Sequence, residues 1–129
     1  MHATGRILLV DDEPSLLKMM GVYLGRLGYS VTLANSTEEA WAEVEAAPSG
    51  YAIAVLDGSM PGLRMEDLAL KMLRANPSLC VVAVSGYSVD TTAIEAAAPG
   101  RVAVLQKPFP PEMLAAAVRR MLASQEEAL

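Results

Sequence analysis

The 129-residue sequence lacks most features of secreted and membrane-spanning proteins. Cys80 is its single cysteine, so no disulfide can form within the chain. No apolar run approaches the ~18 residues that a membrane span needs. Residues 1–6 are too few and too polar for a signal peptide. We therefore expect a cytoplasmic protein without a membrane partner.

Clustered positive charge is missing as well. The ten Lys and Arg residues are scattered along the chain, and the formal net charge is −5. Direct nucleic-acid binding requires basic residues gathered on one surface, so we do not expect it here. A G-x-G-x-x-G motif after the first predicted strand is also lacking, which argues against a nicotinamide-binding fold.

The composition is that of a folded protein. Apolar residues make up 53% of the chain and charged residues 19%, a balance that supports a packed core rather than disorder. The length suits a single domain. We predict one domain over residues 6–124, with an N-terminal tail at 1–5 and a C-terminal tail at 125–129.

Short apolar runs alternate with amphipathic stretches along the whole chain. Such runs are typical of strands buried on both faces. Apolar residues at helical spacing follow each run, and we expect Ser36 and Ser88 to cap the second and fourth helices. Five strand–helix units in a row predict an α/β fold in which helices cover both faces of a parallel sheet. The predicted strands are 7–10, 30–34, 52–56, 80–84 and 102–105.

Polar residues stand where four of these strands end. The pair Asp11-Asp12 follows the first strand, Asp57 the third, Ser85 the fourth and Lys107 the fifth. In open parallel sheets, ligands bind outside the carboxyl ends of the strands. We therefore expect these side chains to form one site.

The expected site has the chemistry of a hard cation and a phosphoryl group. Two carboxylates ~4 Å apart repel by about 4 kcal/mol at an effective dielectric constant near 20, so three stay ionised together only beside a cation. Oxygen ligands favour Mg²⁺, with Mn²⁺ possible. A carboxylate such as Asp57 can then attack phosphorus. Ser85 and Lys107 would bind the transferred oxygens, and Gly58 and Gly86 leave space beside them.

Four motifs together resemble the receiver domain of two-component response regulators. The resemblance runs from about Arg6 to Leu122, with the motifs in order and at the spacing of the family. The local sequence around Ser85 and Lys107 is similar to that of receivers in hybrid histidine kinases. The motifs are Leu9-Val10-Asp11-Asp12-Glu13, Asp57 with Met60-Pro61, Ser85-Gly86-Tyr87 and Lys107-Pro108-Phe109.

The resemblance implies a flavodoxin-like (βα)5 three-layer sandwich with strand order 2-1-3-4-5. It also implies a role for each site residue. Asp57 would be the phosphoacceptor, Ser85 would bind a phosphoryl oxygen and shift on activation, and Lys107 would pair first with Asp57 and then with the phosphoryl group. The peptide bond before Pro108 would be cis. The implied metal ligands are Asp12, Asp11 (partly through water), Asp57 and the backbone carbonyl of Ser59.

Two positions depart from the family pattern. Val104 stands where many receivers have Tyr or Phe, whose ring turns inward when the Ser or Thr hydroxyl moves. Tyr87, two residues after Ser85, is our candidate for a replacement switch. Gly58 follows Asp57 where an aliphatic residue is usual, which loosens the loop. We expect Glu13 to favour the start of the first helix rather than to bind metal.

We expect a signalling receiver rather than an enzyme. A histidine kinase or histidine phosphotransfer protein would supply the phosphoryl group, and an unknown downstream protein or a second copy of the chain would bind the face of the fourth helix, fifth strand and fifth helix. The chain is either free-standing or part of a longer protein. Two alternatives stay open: an adaptor that needs no phosphorylation, and a Mg²⁺-dependent phosphatase, which usually has an acid where Ser59 stands. The face candidates are Ile94, Val104, Met113 and Ala117.

Overall fold

The computed structural model describes the backbone of residues 6–127 and the side chains through residue 123. The predicted N-terminal tail, residues 1–5, lies outside the described residues. Strands and helices alternate without exception along the described chain, as the sequence predicts. The elements are β1 Arg6–Val10, α1 Pro14–Arg26, β2 Val31–Ala34, α2 Thr37–Ala46, β3 Tyr51–Asp57, α3 Met65–Ala75, β4 Cys80–Ser85, α4 Thr92–Ala97, β5 Val102–Gln106 and α5 Pro111–Glu127.

The five strands form one parallel sheet of order β2-β1-β3-β4-β5. The predicted fold class and strand order are both confirmed. The register aligns the carboxyl ends of the central strands, since Val10 pairs with Leu56, and Asp57 with Val84. This alignment gathers the residues that end β1, β3, β4 and β5 at one edge.

Two apolar cores flank the sheet, because successive side chains of a strand point to opposite faces. In β1, Ile7 and Leu9 pack in the core beneath α1 and α5, whereas Leu8 and Val10 pack in the core beneath α2, α3 and α4. Burial of each such side chain stabilises the fold by about 1.5–3 kcal/mol. The continuous apolar runs in the sequence are therefore explained by burial on both faces.

Local signals set several helix ends. The Ser36 hydroxyl accepts the Glu39 amide at 3.0 Å and caps α2, as predicted. Gly28 follows α1 with φ +101°, a conformation that favours glycine.

The predicted start of α4 was wrong. This helix begins at Thr92, and its N-cap residue is Thr91, not Ser88. The preceding residues form a loop in which the Asp90 carboxylate accepts the Thr92 amide at 3.0 Å. Asp90, and not Ser88, thus supplies the side-chain acceptor next to the first turn of the helix.

The last helix, α5, continues to Glu127, so residues 125–127 of the predicted C-terminal tail are helical. No helix in the described part of the chain is long and apolar enough to cross a membrane.

Candidate functional site

Three carboxylates meet at the carboxyl edge of the sheet. Asp11 follows β1 and is 1% exposed, Asp57 ends β3 and is 5% exposed, and Asp12 is open to solvent. One oxygen of each lies within 4.8 Å of one oxygen of the other two. Carboxylates at this spacing repel by several kcal/mol unless a cation offsets them. The cluster consists of hard oxygen donors, so its chemistry fits a small divalent cation.

Lys107 brings a positive charge to the same cluster. Its Nζ lies 3.1 Å from Asp11 Oδ2, 3.5 Å from Asp57 Oδ2 and 3.7 Å from Glu13 Oε1. The lysine side chain is 19% exposed. Its backbone amide donates to the Ser85 carbonyl at 2.7 Å, and the Lys107–Pro108 peptide bond is cis. One ammonium group therefore serves three carboxylates, one of which belongs to the predicted phosphoacceptor.

Burial and charge act in opposite directions on these groups. Burial raises the pKa of Asp11 above its ordinary value, although a hydrogen bond from the Glu13 amide and the contact with Lys107 oppose this rise. Burial tends to lower the pKa of Lys107. The hydrogen bond to Asp11 and the negative charges of Asp11, Asp57 and Glu13 outweigh burial, so the pKa of Lys107 is raised above its ordinary value. Lys107 therefore stays charged at neutral pH.

Ser59 donates two hydrogen bonds to one carboxylate oxygen of Asp57. Its amide donates to Asp57 Oδ1 at 3.1 Å and its hydroxyl donates to the same oxygen at 2.9 Å. These contacts use the amide and the hydroxyl. The metal contact expected of the Ser59 carbonyl stays a prediction.

Ser85 is 1% exposed at the end of β4, next to the end of β3. Its hydroxyl oxygen accepts the Tyr87 amide at 3.2 Å. Any movement of the Ser85 hydroxyl would therefore act on the backbone of the loop between β4 and α4. Tyr87 itself is 55% exposed.

Gly58 lies against the same loop. A Cβ built on Gly58 would meet Val89 Cγ1 at 3.4 Å and Ser85 Cβ at 3.5 Å. Val89 thus occupies part of the space that we expected beside Gly58, whereas Gly86 has nothing within 4 Å of such an added Cβ. The sequence carried no signal for the contact of Val89, because loop residues lack the periodicity that predicts burial.

A cavity of about 360 Å³ opens next to Gly58, between the loop that follows β3 and the loop that follows β4. Both loops contribute to its lining, so it borders the segments that carry Asp57 and Ser85. Its lining residues include Gly58, Met60, Met65, Tyr87 and Val89.

Two of the four predicted face residues point inward. Ile94, on the inner side of α4, is fully buried, and Ala117, on the inner side of α5, is 3% exposed. Each belongs to one of the two cores. They were wrongly assigned to the surface, because alanine-rich stretches of a helix give little contrast between its inner and outer faces. Val104 and Met113 are each 50% exposed.

Known proteins share this fold and its sequence pattern. The model of the response regulator receiver domain family matches residues 7–119. The C4-dicarboxylate transport transcriptional regulatory protein DctD of Rhizobium meliloti is 34% identical over 122 residues, which cover 93% of this chain and 26% of that protein. This chain thus spans about a quarter of the length of the first curated relatives that it matches.

Solved structures agree with the sequence match. A CheY-like receiver domain protein from Methanospirillum hungatei superposes with a TM-score of 0.85 at 26% identity, over 97% of this chain and 98% of that one. The receiver domain of the hybrid histidine kinase CckA has a TM-score of 0.79 at 29% identity, over 92% of this chain and 99% of that one. The similar proteins thus include transcriptional regulators and the receiver of a hybrid kinase. The fold, the carboxylates at the strand ends and the family match lead to one conclusion: the chain belongs to the response regulator receiver domain family.

Proposed function

We propose that the protein accepts a phosphoryl group on Asp57 from a histidine kinase or a histidine phosphotransfer protein. The observation that carries the proposal is the position of the Asp57 carboxylate, which lies within the carboxylate cluster and 3.5 Å from the Lys107 ammonium. An oxygen of Asp57 would bond to phosphorus as the bond to the donor nitrogen breaks, and the leaving imidazole would keep that electron pair.

The carboxylate cluster fits Mg²⁺, or Mn²⁺ in its place, because both prefer oxygen ligands. Asp11, Asp12 and Asp57 would hold the ion, with the carbonyl of Ser59 as a further ligand. The bound ion would supply positive charge that offsets the phosphoryl oxygens. Lys107 and the Ser85 hydroxyl would bind other oxygens of the group, since they lie at the neighbouring strand ends.

Mass spectrometry tests the proposal directly. We expect the protein to gain one phosphoryl group when it is incubated with acetyl phosphate and Mg²⁺, because the small donor needs no partner protein. Chelation of the metal with EDTA should reduce the labelling rate at least about tenfold, since the clustered carboxylates would repel the anionic donor. Labelling that is absent with Mg²⁺, or equally fast with EDTA, would contradict the proposal.

The switch residues form the second part of the proposal. The Ser85 hydroxyl accepts the Tyr87 amide, so an inward shift of this hydroxyl toward a phosphoryl group would release that loop. The Tyr87 ring borders the 360 Å³ cavity beside Gly58, Met60 and Met65. Because Val104 has no ring to turn, we assign the switch to Tyr87. Its ring would enter the cavity and reposition α4.

Replacing Tyr87 should separate phosphorylation from the switch. In Tyr87→Ala we expect unchanged labelling of Asp57 but a loss of at least about half of the amide chemical-shift changes that beryllofluoride and Mg²⁺ induce in α4 and β5. Tyr87→Phe keeps the ring and should behave as the wild type. Wild-type shifts throughout α4 and β5 in Tyr87→Ala would rule out this switch.

The output surface in this proposal is the face of α4, β5 and α5, where Val104 and Met113 are half exposed. An apolar surface of this kind suits a protein partner or a second copy of the chain. A rise in sedimentation coefficient with beryllofluoride would identify the second copy, and an unchanged coefficient would exclude it. The single, buried Cys80 is compatible with a reducing compartment such as the cytoplasm.

Val104 also favours one alternative, an adaptor that binds its partner without phosphorylation, because the usual aromatic switch is missing there. An adaptor of this kind would show the same partner binding with and without beryllofluoride. The phosphatase alternative has less support: Ser59 donates its hydroxyl to Asp57 where that chemistry usually places an acid. In this proposal the chain is a signalling receiver and not an enzyme.

A further inference from the structure

Glu13 lies within ion-pair distance of the lysine of the site. It is the residue before α1, yet its side chain makes no capping hydrogen bond. Instead, Glu13 Oε1 lies 3.7 Å from Lys107 Nζ. The expected role of Glu13 at the helix start stays a prediction.

Lys107 forms ion pairs with three acidic residues. In the described part of the chain its ion pairs are with Asp11, Asp57 and Glu13. Two of the three, Asp11 and Asp57, belong to the cluster that could hold a metal. The Glu13 side chain is 67% exposed, whereas those of Asp11 and Asp57 are each 1% exposed. It is the partner that a metal ion would leave free.

Two cations cannot share the same carboxylate oxygens without repelling each other. A lysine that stays on Asp11 therefore opposes metal binding. A lysine that moves toward Glu13 vacates Asp11 Oδ2, the oxygen that it contacts at 3.1 Å. The flexible four-carbon stem of lysine allows such a shift.

We propose that Glu13 is a positioning residue for Lys107, and this inference rests on the proposed function. Glu13 receives the ammonium group while Asp11 and Asp57 bind Mg²⁺. It then releases the ammonium group when a phosphoryl group on Asp57 presents a stronger negative charge. Glu13 thereby favours metal binding and competes with the phosphoryl group for the lysine.

Calorimetric titration with Mg²⁺ tests the first half of this inference. We expect Glu13→Gln to bind Mg²⁺ about two- to fivefold more weakly than the wild type, the effect of one partly exposed ion pair. Glu45→Gln makes the same charge change on the exposed surface near the end of α2 and should leave the affinity unchanged. An unchanged affinity in Glu13→Gln would overturn the inference.

A double-mutant cycle separates an effect through the lysine from a general effect of charge. If Glu13 acts through Lys107, the Mg²⁺ affinities of Lys107→Met and of Lys107→Met with Glu13→Gln should agree within about twofold. If the two-to-fivefold loss persists without the lysine, Glu13 acts on the metal directly and the inference fails.

Beryllofluoride binding tests the second half and needs no lysine variant. In protein saturated with Mg²⁺, Glu13→Gln should bind beryllofluoride about twofold or more tightly than the wild type, because Glu13 no longer competes for Lys107. Weaker or equal binding would contradict the inference. Failure of these tests leaves labelling of Asp57 intact, whereas failure of the proposed function abolishes labelling in the wild type itself.

Discussion

Asp57→Asn should abolish phosphoryl labelling without unfolding the protein. The amide has nearly the shape of the carboxylate, and its oxygen can still accept the two hydrogen bonds that Ser59 donates to Oδ1. It is, however, too weak a nucleophile to attack phosphorus. Removal of one charge also relieves repulsion with Asp11, so the free energy of unfolding without metal should be retained or rise by about 1 kcal/mol.

Intact-mass spectrometry with acetyl phosphate and Mg²⁺ measures the labelling, and urea denaturation measures the stability. Asp67→Asn is the matched control, because Asp67 is exposed in the first turn of α3. This control should be labelled at the wild-type rate. A phosphoryl group on Asp57→Asn would contradict our assignment of the acceptor, and a variant that fails to fold would contradict the expected stability.

Lys107→Met should give the largest change in stability at the site. The variant leaves the buried carboxylates of Asp11 and Asp57 facing each other without the ammonium group that now lies 3.1 and 3.5 Å from them. Loss of one partner from a largely buried ionic group costs about 1–3 kcal/mol, because the remaining charges are uncompensated. We expect this loss at neutral pH in the absence of metal.

The direction of the pH dependence follows from the raised pKa of Asp11, which is due mainly to burial. Without Lys107 this pKa rises further, so the fold disfavours the ionised carboxylate more strongly. The loss of stability is therefore full above the raised pKa and shrinks as the pH falls through it, because protonation removes one of the two charges. Added Mg²⁺ should also restore part of the stability at neutral pH.

Urea denaturation with and without Mg²⁺ checks these expectations. Lys18→Met serves as the control, because Lys18 is exposed on α1 and its loss should change the free energy of unfolding by less than about 0.5 kcal/mol. Equal stability of Lys107→Met and the wild type at neutral pH would show that water already screens the two carboxylates.

The sequence alone determined the fold and the edge at which the site lies. A sheet covered by helices on both faces requires strands that are apolar on both sides, and the runs ending at Val10, Leu56 and Val84 have this property. Parallel strands place their carboxyl ends at one edge. The polar residues that follow those runs could therefore be assigned to a common site before any contact was known.

Tertiary structure decided which side chains touch. The sequence separates Glu13 from Lys107 by most of the chain, and only the pairing of β1, β3, β4 and β5 brings them to 3.7 Å. Val89 likewise reaches Gly58 because its loop folds over the end of β3.

The physical reason is the range of the forces involved. Burial of apolar side chains imposes a regular spacing of apolar residues along the chain, and this spacing can be recognised in the sequence. Ion pairs and loop contacts depend on distances across the folded molecule, and they have no periodicity in the sequence. Asp57 could therefore be proposed as an acceptor from the sequence, and its pairing with Lys107 could be expected from the family resemblance. The hydrogen bonds from Ser59 and the place of Glu13 beside the lysine became defined only when the strands assembled.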